Sequence, residues 1–395
     1  MTPRNRWLEL LLIGVARIAM GVQFQAVGAL GPLLVGNLVP DWTALGTLIG
    51  AYSLAGVAVA LPAGWLLARF GDRRILLAGV ALMTLGGVVV ALAPGFGMAL
   101  LGRLVAGGGS ALLTIACAKR VLDRFAGPAL APAMGVMLSA WPVGIAAALL
   151  LLPLAGEDFR LGLAGSAALC GLALPLLAWA VPKGADPEGQ RGPVARMARL
   201  LPGEWGGLLA VGALWAFYNA AFAVLLGFAP AFLVAQGASP AEAGAVASLV
   251  GWAILPLLPL GGALVERLGR PLLACAGCIL GMAAALLGLV AGWPAVPMLV
   301  ACGLLSAPPA SLIMACLGRV LSPGSRPFGV GIHYMMFYAG MAVLPALAGL
   351  LRDVTGAPAT PILAAVGFLG ASLVALAALG VSLAAAAAAQ APLPR

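Results

Sequence analysis

Twelve long stretches of nearly unbroken apolar sequence dominate this chain, and they rule out a water-soluble globule. About 20 apolar residues in a helix cross the hydrocarbon core of a bilayer. The stretches fall near 8–35, 44–67, 74–94, 97–118, 131–155, 160–182, 205–235, 241–265, 271–291, 294–317, 329–351 and 359–384. Backbone groups in lipid must be paired internally, so a span is a helix or part of a closed barrel. The apolar residues here run on without alternating at period two, which selects helices. Only 8% of the 395 residues are charged and 63% are hydrophobic, whereas a soluble domain carries about 25% charge. The expected fold class is all-α, a polytopic membrane protein of 12 transmembrane helices. The first stretch follows Arg4 and Arg6 in the manner of a signal peptide. Its length and Arg17 in its middle make it an uncleaved first span.

Basic residues set the orientation, because Lys and Arg collect in cytoplasmic loops. One side of the predicted bundle gathers Arg69, Arg73, Arg74, Lys119, Arg120, Arg124, Lys183, Arg191, Arg196, Arg199, Arg267, Arg270, Arg319 and Arg326, together with both termini. The other side holds Arg160 and Arg352 beside Asp41, Glu157, Asp158 and Asp353. The expectation is a multi-pass protein of the inner (cytoplasmic) membrane with both termini cytoplasmic. The formal net charge of +9 is then a topology signal. With no basic face interleaved with aromatics outside the membrane, nucleic acid is not an expected partner.

The longest polar connection, KGADPEGQRGPVARMARLLPGE, occupies 183–204 and separates six spans from six. It predicts a first bundle over 1–182, a linker over 183–204 and a second bundle over 205–395. A phrase recurs in both halves. Gly64, Arg69 and Gly71 reappear as Gly262, Arg267 and Gly269 at an offset of 198, which also relates Pro32 to Pro230 and Gly46 to Gly244. Several registers agreeing at half the chain length indicate an internal duplication. Two parallel six-helix repeats about an axis along the membrane normal are an architecture known for secondary transporters.

In these residues the chain resembles the major facilitator superfamily. The family's signature after the second span, G-x-x-x-[DE]-R-x-G-[RK]-[RK], is matched in the second copy by Gly262, Glu266, Arg267, Gly269 and Arg270. The first copy, with Gly64, Arg69, Gly71, Asp72 and Arg73, departs by placing Ala68 where the acid belongs. A second signature, R-x-x-x-G-x-G, appears as Arg103, Gly107 and Gly109; Gly135, Trp141, Pro142 and Gly144 form a degenerate relative of the proline-glycine motif of drug antiporters. The resemblance implies alternating access, no cofactor and a monomer. It also implies that the repeated phrase latches the halves together on the cytoplasmic side, with Glu266 serving one latch and Asp72 a substitute for the other. The competing reading is that these residues only set topology. The stretch 16–35, with an arginine and a later Gly31-Pro32-Leu33-Leu34, is also similar to the first span of the cyanate and nitroimidazole permease group.

Ionisable residues inside spans are candidates for function, and three stand out: Arg17, Arg103 and His333. No Asp or Glu lies near the middle of any span; Glu9 is close to the end of the first. A buried cation without an acid needs a counter-charge, and an arginine fork suits a carboxylate. The expected cargo is a small organic or inorganic anion. Arg17 is either its counter-ion or a snorkelling side chain. Arg103 either touches substrate or bonds backbone carbonyls of the first span. His333 either carries protons or packs. Gln25, Tyr52, Trp141, Trp215, Tyr218, Asn219, Tyr334 and Tyr338 complete the candidate cavity; Trp215 is the 198-offset counterpart of Arg17. Packing or a place at the lipid interface is the alternative for each aromatic. A counter-substrate or protons are the candidate coupling partners.

Two rival functions remain. A proton-coupled multidrug or small-molecule exporter of the same fold would want a cavity acid. An embedded enzyme or sensor is the other class, yet one His and no Ser/His/Asp set leave it without catalytic equipment. Cys275 and Cys278 form a CxxC with no second pair and no nearby His, so small packing residues are the expectation and no metal site is implied.

Overall fold

A computed structural model describes residues 6–60, 62–181, 200–201, 203–258, 270–322 and 324–390. Among these, 12 helices are long and apolar enough to cross a membrane. Their α-helical parts are α1 (Arg6–Ala29), α2 (Trp42–Ala60), α3 (Asp72–Ala91), α4 (Phe96–Arg124), α5 (Leu130–Leu151), α6 (Phe159–Ala180), α7 (Glu204–Ala235), α8 (Pro240–Ile254), α9 (Pro271–Val290), α10 (Ala295–Val320), α11 (Arg326–Thr355) and α12 (Thr360–Gln390). Short helices at Gly31–Leu34 and Ala63–Phe70 follow α1 and α2.

The helix limits follow from local chemistry. α2 ends at Ala60, short of the expected 67, because Pro62 has no amide to continue the ladder. The chain resumes in the Ala63–Phe70 helix and breaks again at Gly71, whose φ of +81° only glycine adopts without strain. α4 runs six residues past the expected 118, to Arg124. Its last turns are polar and held by ion pairs: Lys119 Nζ lies 2.9 Å from Asp72 Oδ2 and 2.7 Å from Asp123 Oδ2, and Arg120 Nε lies 2.6 Å from Glu9 Oε1.

Within the first half α3 packs on α4 and α6, α2 on α4, and α1 on α5 and α6; within the second, α7 packs on α11 and α12, α10 on α8 and α9, and α9 on α12. Lipid supplies no hydrophobic drive between helices, so close packing at small residues does this work. The halves meet through α2 against α11, α5 against α8, and α1 against α7.

The close approaches in these joints lie toward the face opposite the basic one, here the far face. A Cβ on Gly46 or Gly50 of α2 would run into the carbonyl oxygens of Pro345 or Ala342 of α11, and one on Gly244 of α8 into that of Leu149 of α5. Gly46 and Gly244, paired by the 198-residue offset, thus occupy matching places in the two joints. Among the described residues, every hydrogen bond between the halves also lies toward the far face, made by Gln25, Trp42 and Thr43.

The basic face carries the repeated phrase. Asp72 is buried at the start of α3, where a helix N-terminus favours a negative charge. It pairs with Lys119 of its own half, and among the described residues it makes no bond to the other half in this conformation. Arg73 donates to the Val181 carbonyl at 2.6 Å and the Ala178 carbonyl at 3.3 Å, closing the end of α6. Arg69 lies over the rings of Trp65 and Phe70. Gly64 falls within the short helix. Gly262, Glu266, Arg267 and Gly269 lie outside the described residues, as does most of the 183–204 connection; Arg270 precedes α9.

Candidate functional site

Arg17 projects from the middle of α1 and is only 5% exposed. Its Nε donates to the Met137 carbonyl of α5 at 3.1 Å, and Nη1 makes a long contact of 3.5 Å with Thr114 Oγ1 of α4. Nη2 has no hydrogen-bond partner among the described residues, and no carboxylate there lies in ion-pairing range of the guanidinium. Arg17 is thus a buried cation with donor capacity to spare.

Arg103 is the opposite case. It is 2% exposed, and its Nε donates to the Leu48 carbonyl at 2.9 Å, Nη1 to that of Gln23 at 2.8 Å and Nη2 to that of Phe24 at 3.1 Å. The Tyr52 ring covers it, its centroid 4.4 Å from Cζ. Placing Arg103 among the substrate contacts is therefore corrected: it ties α4 to α1 and α2. Other polar candidates are also bonded within the bundle. Gln25 donates to the Leu226 carbonyl at 2.8 Å and joins the halves at the far face. The Tyr52 hydroxyl turns inward toward Gln23 Oε1, 3.4 Å away. The Tyr218 hydroxyl donates to the Ser306 carbonyl of α10, away from the midline. Asn219 is partly exposed, but its amide returns to the Trp215 carbonyl at 2.8 Å on its own helix.

The remaining aromatics come together. Trp215 of α7 stacks on His333 of α11, ring centroids 6.2 Å apart, and Phe337 lies 6.1 Å from it. Tyr334, Phe337 and Tyr338 continue this wall along α11, with Phe337 and Tyr338 at 5.0 Å. Trp141 stands on the first half, one turn from the Met137 that holds Arg17, with its ring 5.4 Å from Phe24. Trp141, Trp215, Tyr334, Phe337 and Tyr338 are all partly exposed.

His333 is fully buried, and among the described residues neither ring nitrogen has a hydrogen-bond partner; nor has the Trp215 indole nitrogen beside it. Leaving a buried polar group unpaired costs about 1–3 kcal/mol, and an apolar replacement of similar shape removes that cost. His333→Phe is accordingly expected to hold or raise the thermal midpoint of the purified protein in a melting assay.

At the far face α11 closes on α2. The Asp353 carboxylate accepts from the Trp42 amide at 3.1 Å, the Thr43 amide at 2.7 Å and the Thr43 hydroxyl at 2.6 Å. Asp41 takes the next amide, Ala44, at 2.7 Å. Arg352 lies over the Trp42 ring, 3.2 Å from its centroid. One half thus caps a helix N-terminus of the other, which favours the negative charge there. Sequence reasoning counted Arg352 and Asp353 only as loop charges; their adjacency to an α11 terminus gave no sign of a partner more than 300 positions away. Losing a side-chain cap costs about 0.5–2 kcal/mol. Asp353→Ala should therefore raise the far-open population by roughly 2- to 30-fold, measured as alkylation of a cysteine placed under the joint.

A sequence model of the Major Facilitator Superfamily matches residues 12–236 and again 217–392. The chain belongs to this superfamily. The fold agrees: a D-xylose-proton symporter superposes with a TM-score of 0.79 at 16% identity, covering 94% of this chain and 97% of the other. A peptide transporter POT crystallised with sulfate gives 0.74 at 15% identity, covering 96% and 94%. At such identities the likeness is one of fold.

Curated relatives of this superfamily member include an uncharacterized MFS-type transporter of Mycobacterium tuberculosis (strain ATCC 25618 / H37Rv), 30% identical over 153 residues, or 39% of this chain and 26% of that one. A multidrug resistance protein B homolog of M. tuberculosis (strain CDC 1551 / Oshkosh) is 33% identical over 120 residues, 27% and 21% of the two chains. The chain thus spans about a quarter of the length of the curated relatives it matches. This superfamily member carries, among its described residues, 12 helices long and apolar enough to cross a membrane.

Proposed function

We propose that this protein is a secondary transporter of a small organic anion, held at mid-membrane between the halves with Arg17 as its counter-ion. The observation that carries the reading is Arg17 itself: a buried guanidinium with a free donor edge and, among the described residues, no acid in ion-pairing range. An unpaired charge in low dielectric is costly, and a carboxylate would relieve that cost through paired, charge-assisted bonds. Arginine in an otherwise apolar span is also what the likeness of the first span to the cyanate and nitroimidazole permease group would lead one to expect.

The cycle is alternating access. The far joints at Gly46, Gly50 and Gly244 and the Asp353 cap are closed in this conformation, and rocking of one half on the other would exchange them for contacts on the basic side. The basic side is assigned to the cytoplasm of an inner membrane, with both termini there. The unit is a monomer, and the counter-partner is either a second anion or a proton carried by way of His333.

The rival reading, proton-coupled export of lipophilic small molecules, draws on the relative named as a multidrug resistance protein B homolog, over 27% of this chain. Thermal melting of the purified protein with acetate, lactate and benzoate tests the two. A bound ligand at 100 times its Kd adds about 2.7 kcal/mol to stability, so at least one anion is expected to raise the midpoint and to enter proteoliposomes. Export of cationic dyes with no response to any anion would decide for the rival.

A further inference from the structure

We infer that the transported anion is an aromatic monocarboxylate, its carboxylate on Arg17 and its ring against the aromatic wall of α7 and α11. The inference rests on the anion reading above and adds the identity of the other end of the molecule. It comes from the asymmetry of the site. The first half offers one cation at mid-depth, Arg17, with Trp141 a turn of α5 away from the carbonyl that holds it. The second half offers no charge at the matching place: the 198-offset counterpart of Arg17 is Trp215. Phe337 lies 6.1 Å from Trp215, and Tyr334, Phe337 and Tyr338 are in mutual ring contact at 5.0–6.5 Å and partly exposed.

This wall reaches the first half: the Tyr338 ring fills the space beside Gly56 of α2, where a Cβ would lie 2.5 Å from it. Tyr338 therefore bridges the halves at the point where the far joint ends. A ligand held by Arg17 would meet this wall with its uncharged end.

The wall is selective for flat π surfaces. Edge-to-face and offset-stacked ring pairs are stabilised beyond the area they bury, because ring edges are positive and faces negative. A saturated ring of the same size gains the burial without that extra attraction. An arginine plane can itself stack on a conjugated system, so a carboxylate in conjugation with its ring suits both ends. The wall is also neutral among the described residues, since His333 is buried behind Trp215 and no acid or second cation joins the cluster. A dicarboxylate would leave its second charge against aromatic carbon, at a desolvation cost no partner repays.

The test uses the full-length protein in detergent, with binding followed by intrinsic tryptophan fluorescence, since Trp141 and Trp215 flank the site. The probes are benzoate, cyclohexanecarboxylate and benzyl alcohol. The expected result is benzoate binding about tenfold more tightly than cyclohexanecarboxylate, with benzyl alcohol weaker than either. In Phe337→Leu, benzoate should fall to within about threefold of the saturated acid while the saturated acid is unchanged. Equal binding of benzoate and cyclohexanecarboxylate by the wild-type protein would overturn the aromatic assignment and leave the anion reading standing. Benzyl alcohol binding as well as benzoate, or no carboxylate binding at all, would overturn both.

Discussion

Uptake of the anion into proteoliposomes is expected to fall by about 10²–10³ in Arg17→Gln, with the protein's melting temperature unchanged or slightly higher. Removing one partner of a buried, hydrogen-bonded charge pair costs about 2–5 kcal/mol, and in this case the lost partner is the substrate's. Without substrate, the same replacement removes a buried cation that has no acid in ion-pairing range among the described residues and gives up only one good hydrogen bond, to the Met137 carbonyl. Stability and transport should therefore move separately. Arg17→Lys keeps the charge but loses the planar two-point fork, so it is expected to restore part of the uptake. Wild-type flux in Arg17→Gln would remove the proposed site.

Arg103→Met should do the reverse. Three hydrogen bonds from one guanidinium hold the carbonyls of Gln23, Phe24 and Leu48 on two different helices, and bonds to a charged donor contribute about 1.5–3 kcal/mol each. Losing them together, with the Tyr52 ring no longer stacked, is expected to destabilise the first half by at least 3–5 kcal/mol. Most of the protein should then fail to survive detergent extraction, as size-exclusion chromatography would show. Lysine is not expected to rescue it, because one ammonium on a flexible stem cannot reach three carbonyls on two helices at once. A stable Arg103→Met protein with lost transport would instead return Arg103 to the substrate.

The contrast between these two arginines marks how far the sequence could be read. Both are cations in the apolar middle of their helices, and both were candidates for the same role. Helical periodicity, span length and the scarcity of charge were sufficient for the twelve helices, because lipid allows so few alternatives. The 198-residue offset carried further than expected, pairing Gly46 and Gly244 in matching joints. What the sequence could not supply was which way each polar tip turns. Gln25 and Tyr218 sit at sensible heights, yet their donors are engaged by carbonyls of α7 and α10. Such bonds depend on helix rotation and on partners from distant parts of the chain. The Asp353 cap was hidden for the same reason: an aspartate at the end of one helix becomes informative only when another helix begins beneath it.

The far face has two seams of unlike character. α8 begins with its own cap, Ser239 and Glu242 bonding each other's backbone, so its start is complete whatever α5 does. α2 borrows two of its terminal acceptors from Asp353 of α11. Parting the first seam separates only packed surfaces, while parting the second strands amides that water must then wet. The outward swing should therefore be sensitive to salt on one flank alone, and the molecule would hinge about its dry side.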